Sequence, residues 1–225
     1  MNNYIKNSAL SAQEKLRDRT LFGHIHIQIT DHPPENVSVK TVLDMVKNTI
    51  PKHLLADVDS IYIGNFKPLN DRQVDSMYIS GAILVSSTHE SNDALFSTLV
   101  HEFAHAVEEI ANYQIYGDGM IEREFLAKRK NLYLMLKDDY QIDKNDFMNK
   151  EFSYSFDNLL NKEIGYDNMA PITHGLFVSP YGATSIHEYF ANVFEHMFLD
   201  GPHSVQEIAP IAYKKIRFVM NPKNL

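Results

Sequence analysis

The sequence predicts an α+β fold, a small mixed sheet followed by a helical part, on three observations. Short runs alternating apolar and polar residues occupy the first 90 positions, and apolar residues recur at helical spacing from Asn92 onward. Directly after that change comes the motif His-Glu-x-x-His. A chain of 225 residues suits one compact domain, read here as a sheet-containing half over 1–90 and a helical half over 91–225.

Residues 8–19 read as a short surface helix. They lead into His24-Ile25-His26-Ile27-Gln28-Ile29, whose alternation is that of a half-buried strand. His24 and His26 are expected to face solvent rather than to hold a metal, since one strand rarely supplies a whole ligand set. Asp31-His32-Pro33-Pro34 ends the strand, because proline lacks an N–H and restricts the residue before it. Val39, Val42, Leu43, Val46 and Ile50 then share a helix face as far as Pro51. Residues 61–66 read as a second strand, and residues 77–79 and 82–85 as a hairpin turning at Ser80-Gly81.

In the helical half, Leu95, Phe96, Leu99, Val100, Phe103, Ala104 and Val107 form a broad apolar face, with Ser91, Asn92 and Asp93 as candidate caps. Further helices are predicted over 121–136, within 158–163 and over 186–199. Gly117-Asp118-Gly119 is a turn, 138–149 a polar connector and 175–182 a loop. Lys128-Arg129-Lys130 reads as a solvated helix face. The aromatic-rich stretch 147–156 is expected to pack into the core.

Composition removes several function classes. A formal charge of -8, from 21 basic and 29 acidic residues, argues against a general phosphate-backbone binder, so no nucleic-acid partner is expected. No run approaches the roughly 20 apolar residues of a spanning helix, so no membrane partner is expected. Residues 1–20 lack the apolar run of a signal peptide, so the expected setting is cytoplasmic, or reached without a classical signal, or secreted if a signal was trimmed. With no cysteine, a strong metal site must be built from histidine and carboxylate.

His101-Glu102-Phe103-Ala104-His105 lies inside the predicted helix. Residues four apart share a face, so both imidazoles can reach one ion, while Glu102, about 100° round, can address a water on it. Chance gives roughly 0.03 such matches in a chain of this composition, so the motif is informative. A catalytic zinc ion takes three protein ligands and keeps a fourth position open, which calls for a third ligand downstream. The helix over 186–199 places Glu188, Ala191, Asn192 and Glu195 on one side, with Tyr189, Phe190, Val193, Phe194, Met197 and Phe198 to pack it. Glu188 is the first choice, because small Ala191 one turn on allows a close helix approach. Glu195, His187 and His196 are the alternatives.

Residues 101–109 together with Ser179-Pro180-Tyr181-Gly182-Ala183-Thr184 and the stretch from Glu188 to Phe194 are similar to the catalytic domain of anthrax lethal factor and the related bacterial Pro-Pro endopeptidases. These are gluzincin metallopeptidases, and the resemblance spans about a fifth of the chain. It implies a zincin-like fold, His101, His105 and Glu188 as zinc ligands, Glu102 as general base and Tyr181 as the phenol that stabilises the oxyanion. It also implies an edge strand that holds substrate backbone, which points to the strand over 79–85 and to Ile83, Val85 and Ser87 as contacts. Asn192 stands where such enzymes often carry an acid; Glu108, seven residues after His101, is a candidate substitute.

The expected function is therefore that of a monomeric zinc-dependent endopeptidase, binding one Zn2+ per chain and a protein or peptide substrate in extended form. The alternative is a catalytically silent zinc-binding structural or interaction module on the same fold, without an exchangeable fourth coordination position.

Overall fold

A computed structural model describes residues 20–225; the helix expected over 8–19 lies outside them. The chain forms two compact units that divide between Ala106 and Val107, within one uninterrupted helix, α3 (Asn92–Ile110).

The first unit contains strands β1 (Thr20–Leu21), β2 (Ile25–Ile29), β3 (Ser60–Gly64), β4 (Ser76–Ile79) and β5 (Ala82–Ser86). They form a small mixed sheet in the order β1-β2-β3-β5-β4, with β2, β3 and β5 parallel and the two outer strands antiparallel to their neighbours. Parallel neighbours need a long connection. Helix α1 (Val39–Thr49) supplies it between β2 and β3, starting at Ser38, whose hydroxyl accepts from the Thr41 N–H. Helix α2 (Lys67–Arg72) and the outer strand β4 lie between β3 and β5. Alternation along the strands sends Ile25, Ile61, Ile63, Ile83 and Val85 into a core shared with Val42, Val46, Leu54 and Leu55, all fully buried but for small traces. His26 faces solvent, whereas His24 is half-buried and its Nε2 lies 3.0 Å from the Leu55 carbonyl.

One expectation is overturned here. The strand carrying Ile83 and Val85 is not at the sheet edge: β5 is paired on one side with β3 and on the other with β4, and both side chains have no solvent exposure. The Ser87 N–H is likewise spent on the Gly64 carbonyl, at 3.2 Å. The reason is the tight turn at Ser80-Gly81, which folds β4 back over the outer side of β5. Among the described residues β4 is the edge strand on this side of the sheet and β1 the edge strand on the other.

The second unit is helical, with α4 (Asn112–Tyr116), α5 (Met120–Leu136), α6 (Lys144–Met148), α7 (Tyr154–Asn158), α8 (Tyr166–Thr173), α9 (Ile186–Leu199), α10 (Pro202–Ile208) and α11 (Pro210–Val219). Its core includes Phe125, Leu132, Phe147, Leu160, Phe177, Phe190 and Phe194. The connector over 138–149 contains α6, capped by the Asp143 carboxylate on the Asn145 N–H. The helix expected within 158–163 is a π-helical stretch, Leu159–Gly165, joining α7 to α8; local apolar spacing does not distinguish it from an α-turn. The aromatic stretch divides: Phe147 and Phe156 pack inside with ring centroids 4.9 Å apart, while Phe152 and Tyr154 are exposed. Arg129 contradicts its assignment to a solvated face, being wholly buried, and Lys128 Nζ donates to the Leu176 and Ile208 carbonyls. Among the described residues no helix is long and apolar enough to cross a membrane.

The β4–β5 turn needs a positive φ at both central residues, +44° at Ser80 and +85° at Gly81. A β-carbon at Gly81 would also lie 2.9 Å from Asp59 Oδ2 and 3.1 Å from the Asp57 carbonyl. Gly81→Ala should therefore destabilise the protein by about 1–3 kcal/mol, seen as a lower urea midpoint with an unchanged slope.

Candidate metal centre

Helix α3 carries the His-Glu-x-x-His motif because its apolar residues turn inward: Leu95, Leu99, Val100, Phe103, Ala104 and Val107 have no exposure. That leaves His101 and His105, both half-buried, one turn apart on a single face, with ring centroids 5.1 Å apart and ring planes at 78°. Glu102, about 100° round the helix from His101, is 4% exposed. Its Oε1 accepts from the Ser76 hydroxyl at 2.5 Å, and its Oε2 is buried with no hydrogen-bond partner. A buried carboxylate oxygen without a donor is costly unless a ligand or water completes it.

Helix α9 starts where it does because Ser185 is its N-cap: the backbone there is extended and the hydroxyl accepts from the Glu188 N–H at 3.1 Å. Glu188 thus stands in the first turn, where the helix dipole favours an anion. Buried Ala191 and Asn192 follow on the packed side. Tyr181 opens a short 3-10 turn, Tyr181–Ala183, and its hydroxyl donates to the Glu188 carboxylate. Burial, then the charge of Glu188, raises the phenol's pKa well above its ordinary value, so Tyr181 stays a protonated donor. Tyr166 meets the Tyr181 ring edge-on at 6.3 Å, its own hydroxyl donating to Asp157.

The ligand atoms of His101, His105 and Glu188 all lie within 4.8 Å of one another. Helix α3 is continuous through both histidines and into its last turn, where Glu108, 5% exposed, accepts from His187 Nδ1 on α9 at 2.9 Å and from the Tyr116 hydroxyl. Zinc bonds of about 2.0–2.1 Å set tetrahedral ligand atoms roughly 3.4 Å apart. Two imidazoles and one carboxylate suit zinc by donor type, and the partnerless Oε2 of Glu102 suits a nearby water.

The alternatives for the third ligand lie outside this cluster. His187 engages Glu108, and His196 Nδ1 sits 2.5 Å from Asp200 Oδ2. Asn192 accepts from the Ser179 hydroxyl and donates to the Glu188 carbonyl at 3.0 Å, so it braces the loop before Tyr181. Sequence reasoning missed Ser76, since a serine at the start of a short strand carries no signal of the carboxylate it will meet.

Comparison with protein-family models, with curated proteins and with solved structures gave no match.

Removing the cap that fixes the start of α9 should register in stability. Ser185→Ala is expected to cost about 1 kcal/mol in thermal or urea denaturation of the metal-free protein, with Ser185→Gly milder.

Proposed function

We propose that this chain is a zinc-dependent endopeptidase of the gluzincin kind, with a zincin-like fold. The reading rests on one observation: two imidazoles and a carboxylate from distant parts of the chain converge, all ligand atoms within 4.8 Å. Beside them on α3 is a buried carboxylate oxygen with no partner. His101, His105 and Glu188 would hold the metal. A zinc ion bound there supplies Lewis acidity, making a water acidic near neutral pH and polarising a carbonyl.

Every other task falls to the chain. Ser76 occupies Oε1 of Glu102, which leaves Oε2 to accept the proton of the attacking water and to return it to the leaving amine nitrogen. Tyr181 donates its hydroxyl to the oxygen that gains charge as the scissile carbon becomes tetrahedral, turning from Glu188 to do so. The substrate backbone is proposed to pair with β4, the strand of Ser76, so that an extended peptide passes the base.

Glu102→Gln keeps the shape and the Ser76 contact but removes the base. It should retain about one zinc per chain and lose roughly two to four orders of magnitude in kcat on a peptide library. Undiminished hydrolysis would remove Glu102 from the mechanism. A wild-type protein that binds zinc yet cleaves nothing would instead be a silent zinc module.

Tyr181→Phe deletes one donor and should lower kcat about a hundredfold with zinc content unchanged. An unaltered rate would leave Tyr181 a packing residue.

A further inference from the structure

Arg129, on α5, is the bulkiest side chain without solvent exposure among the described residues. A guanidinium has five N–H donors, and each finds a backbone carbonyl. Nε donates to Phe147 at 3.1 Å, Nη1 to Ala183 at 2.5 Å and Thr184 at 3.2 Å, and Nη2 to Asp146 at 2.6 Å and Asn149 at 3.3 Å. Its central carbon lies 3.8 Å from the centre of the Phe156 ring. Burial pushes its pKa down to about 9, so the group remains charged at neutral pH.

The five acceptors come from two places. Three are the carbonyls that end α6, and two end the turn Tyr181–Ala183, both of them segment ends whose carbonyls lack helical partners. The same segments are joined once more by the Ile186 N–H on the Lys150 carbonyl at 2.9 Å. Within the turn, Thr184 returns both its N–H, at 3.0 Å, and its hydroxyl, at 2.8 Å, to the Tyr181 carbonyl. Directly after it comes Ser185, the cap from which α9 projects Glu188.

We propose that Arg129 is a positioning residue of the site: by clamping the Ala183 and Thr184 carbonyls to the end of α6, it sets the direction of the Tyr181 hydroxyl and the Glu188 carboxylate. This rests on the peptidase reading above. A methionine of similar length fills the space but leaves five carbonyls unpaired. A lysine keeps the charge, yet its three donors on one nitrogen cannot span both segments.

The test compares wild type, Arg129→Lys and Arg129→Met in the full chain. In chelator-treated protein, amide exchange over 179–188 should quicken about tenfold or more in Arg129→Lys, while the β2–β5 peptides keep their rates. In zinc-loaded protein, kcat on the library should fall about 10- to 100-fold with KM within about twofold. Combined with Tyr181→Phe, the joint loss should be smaller than the product of the two single losses, because the Tyr181 hydroxyl is one of the two groups that Arg129 orients. Should Arg129→Met fail to fold, Arg129→Lys decides alone. Unchanged exchange over 179–188, equal quickening throughout the chain, or fully multiplicative losses would each overturn the proposal. A wild type that neither takes up zinc nor cleaves peptides, with the local quickening still present, sinks the peptidase reading and reduces Arg129 to a clamp.

Discussion

The candidate site depends on one approach, that of a carboxylate to two imidazoles that a helix has already placed. The histidines need only the pitch of α3, whereas Glu188 must arrive from α9, more than eighty positions later. Bonds independent of any metal hold α9 in place. Glu108, three residues beyond His105, is buried and receives both the Tyr116 hydroxyl and His187. A buried carboxylate keeps its charge only if donors surround it, so this acid draws α4 and α9 to the last turn of α3.

A half-buried acid gathers donors in the same way elsewhere in the helical unit. Glu124 on α5 accepts from the Tyr189 hydroxyl of α9 at 2.9 Å and from the Ile211 and Ala212 N–H groups at the start of α11, at 2.8 and 3.1 Å. Apolar contacts between helices tolerate small slips, but an acid with several defined donors does not, because a slip breaks its bonds. The polar hubs thus set the register of α9 along its length. The sheet unit does its part with one bond, from Ser76 to Glu102, and leaves the second oxygen of that acid uncommitted.

Much of this was legible in advance. The alternation in 24–29 and the turn at Ser80-Gly81 marked strands, and the helix with the paired histidines showed in its apolar face from Leu95 to Val107. Glu188 was legible only in part, as the first choice over Glu195, His187 and His196 because small Ala191 one turn on allows a close helix approach. Other features were not. The interior place of β5 depends on which strand the hairpin folds over, and a strand pattern is the same at the edge and one position in. Arg129 sits in a basic triplet that reads as solvated, and its burial follows from five carbonyls supplied by residues 146–184.

From the sequence alone came what short-range periodicity and residue chemistry determine: an α+β chain, the imidazoles one turn apart, and histidine and carboxylate as the available metal donors. Tertiary structure alone decided which oxygen of Glu102 stays uncommitted, which carboxylate joins the histidines, and why a cation lies in the interior. Those outcomes turn on how distant polar groups satisfy one another once water is removed. That accounting has no local signature along the chain.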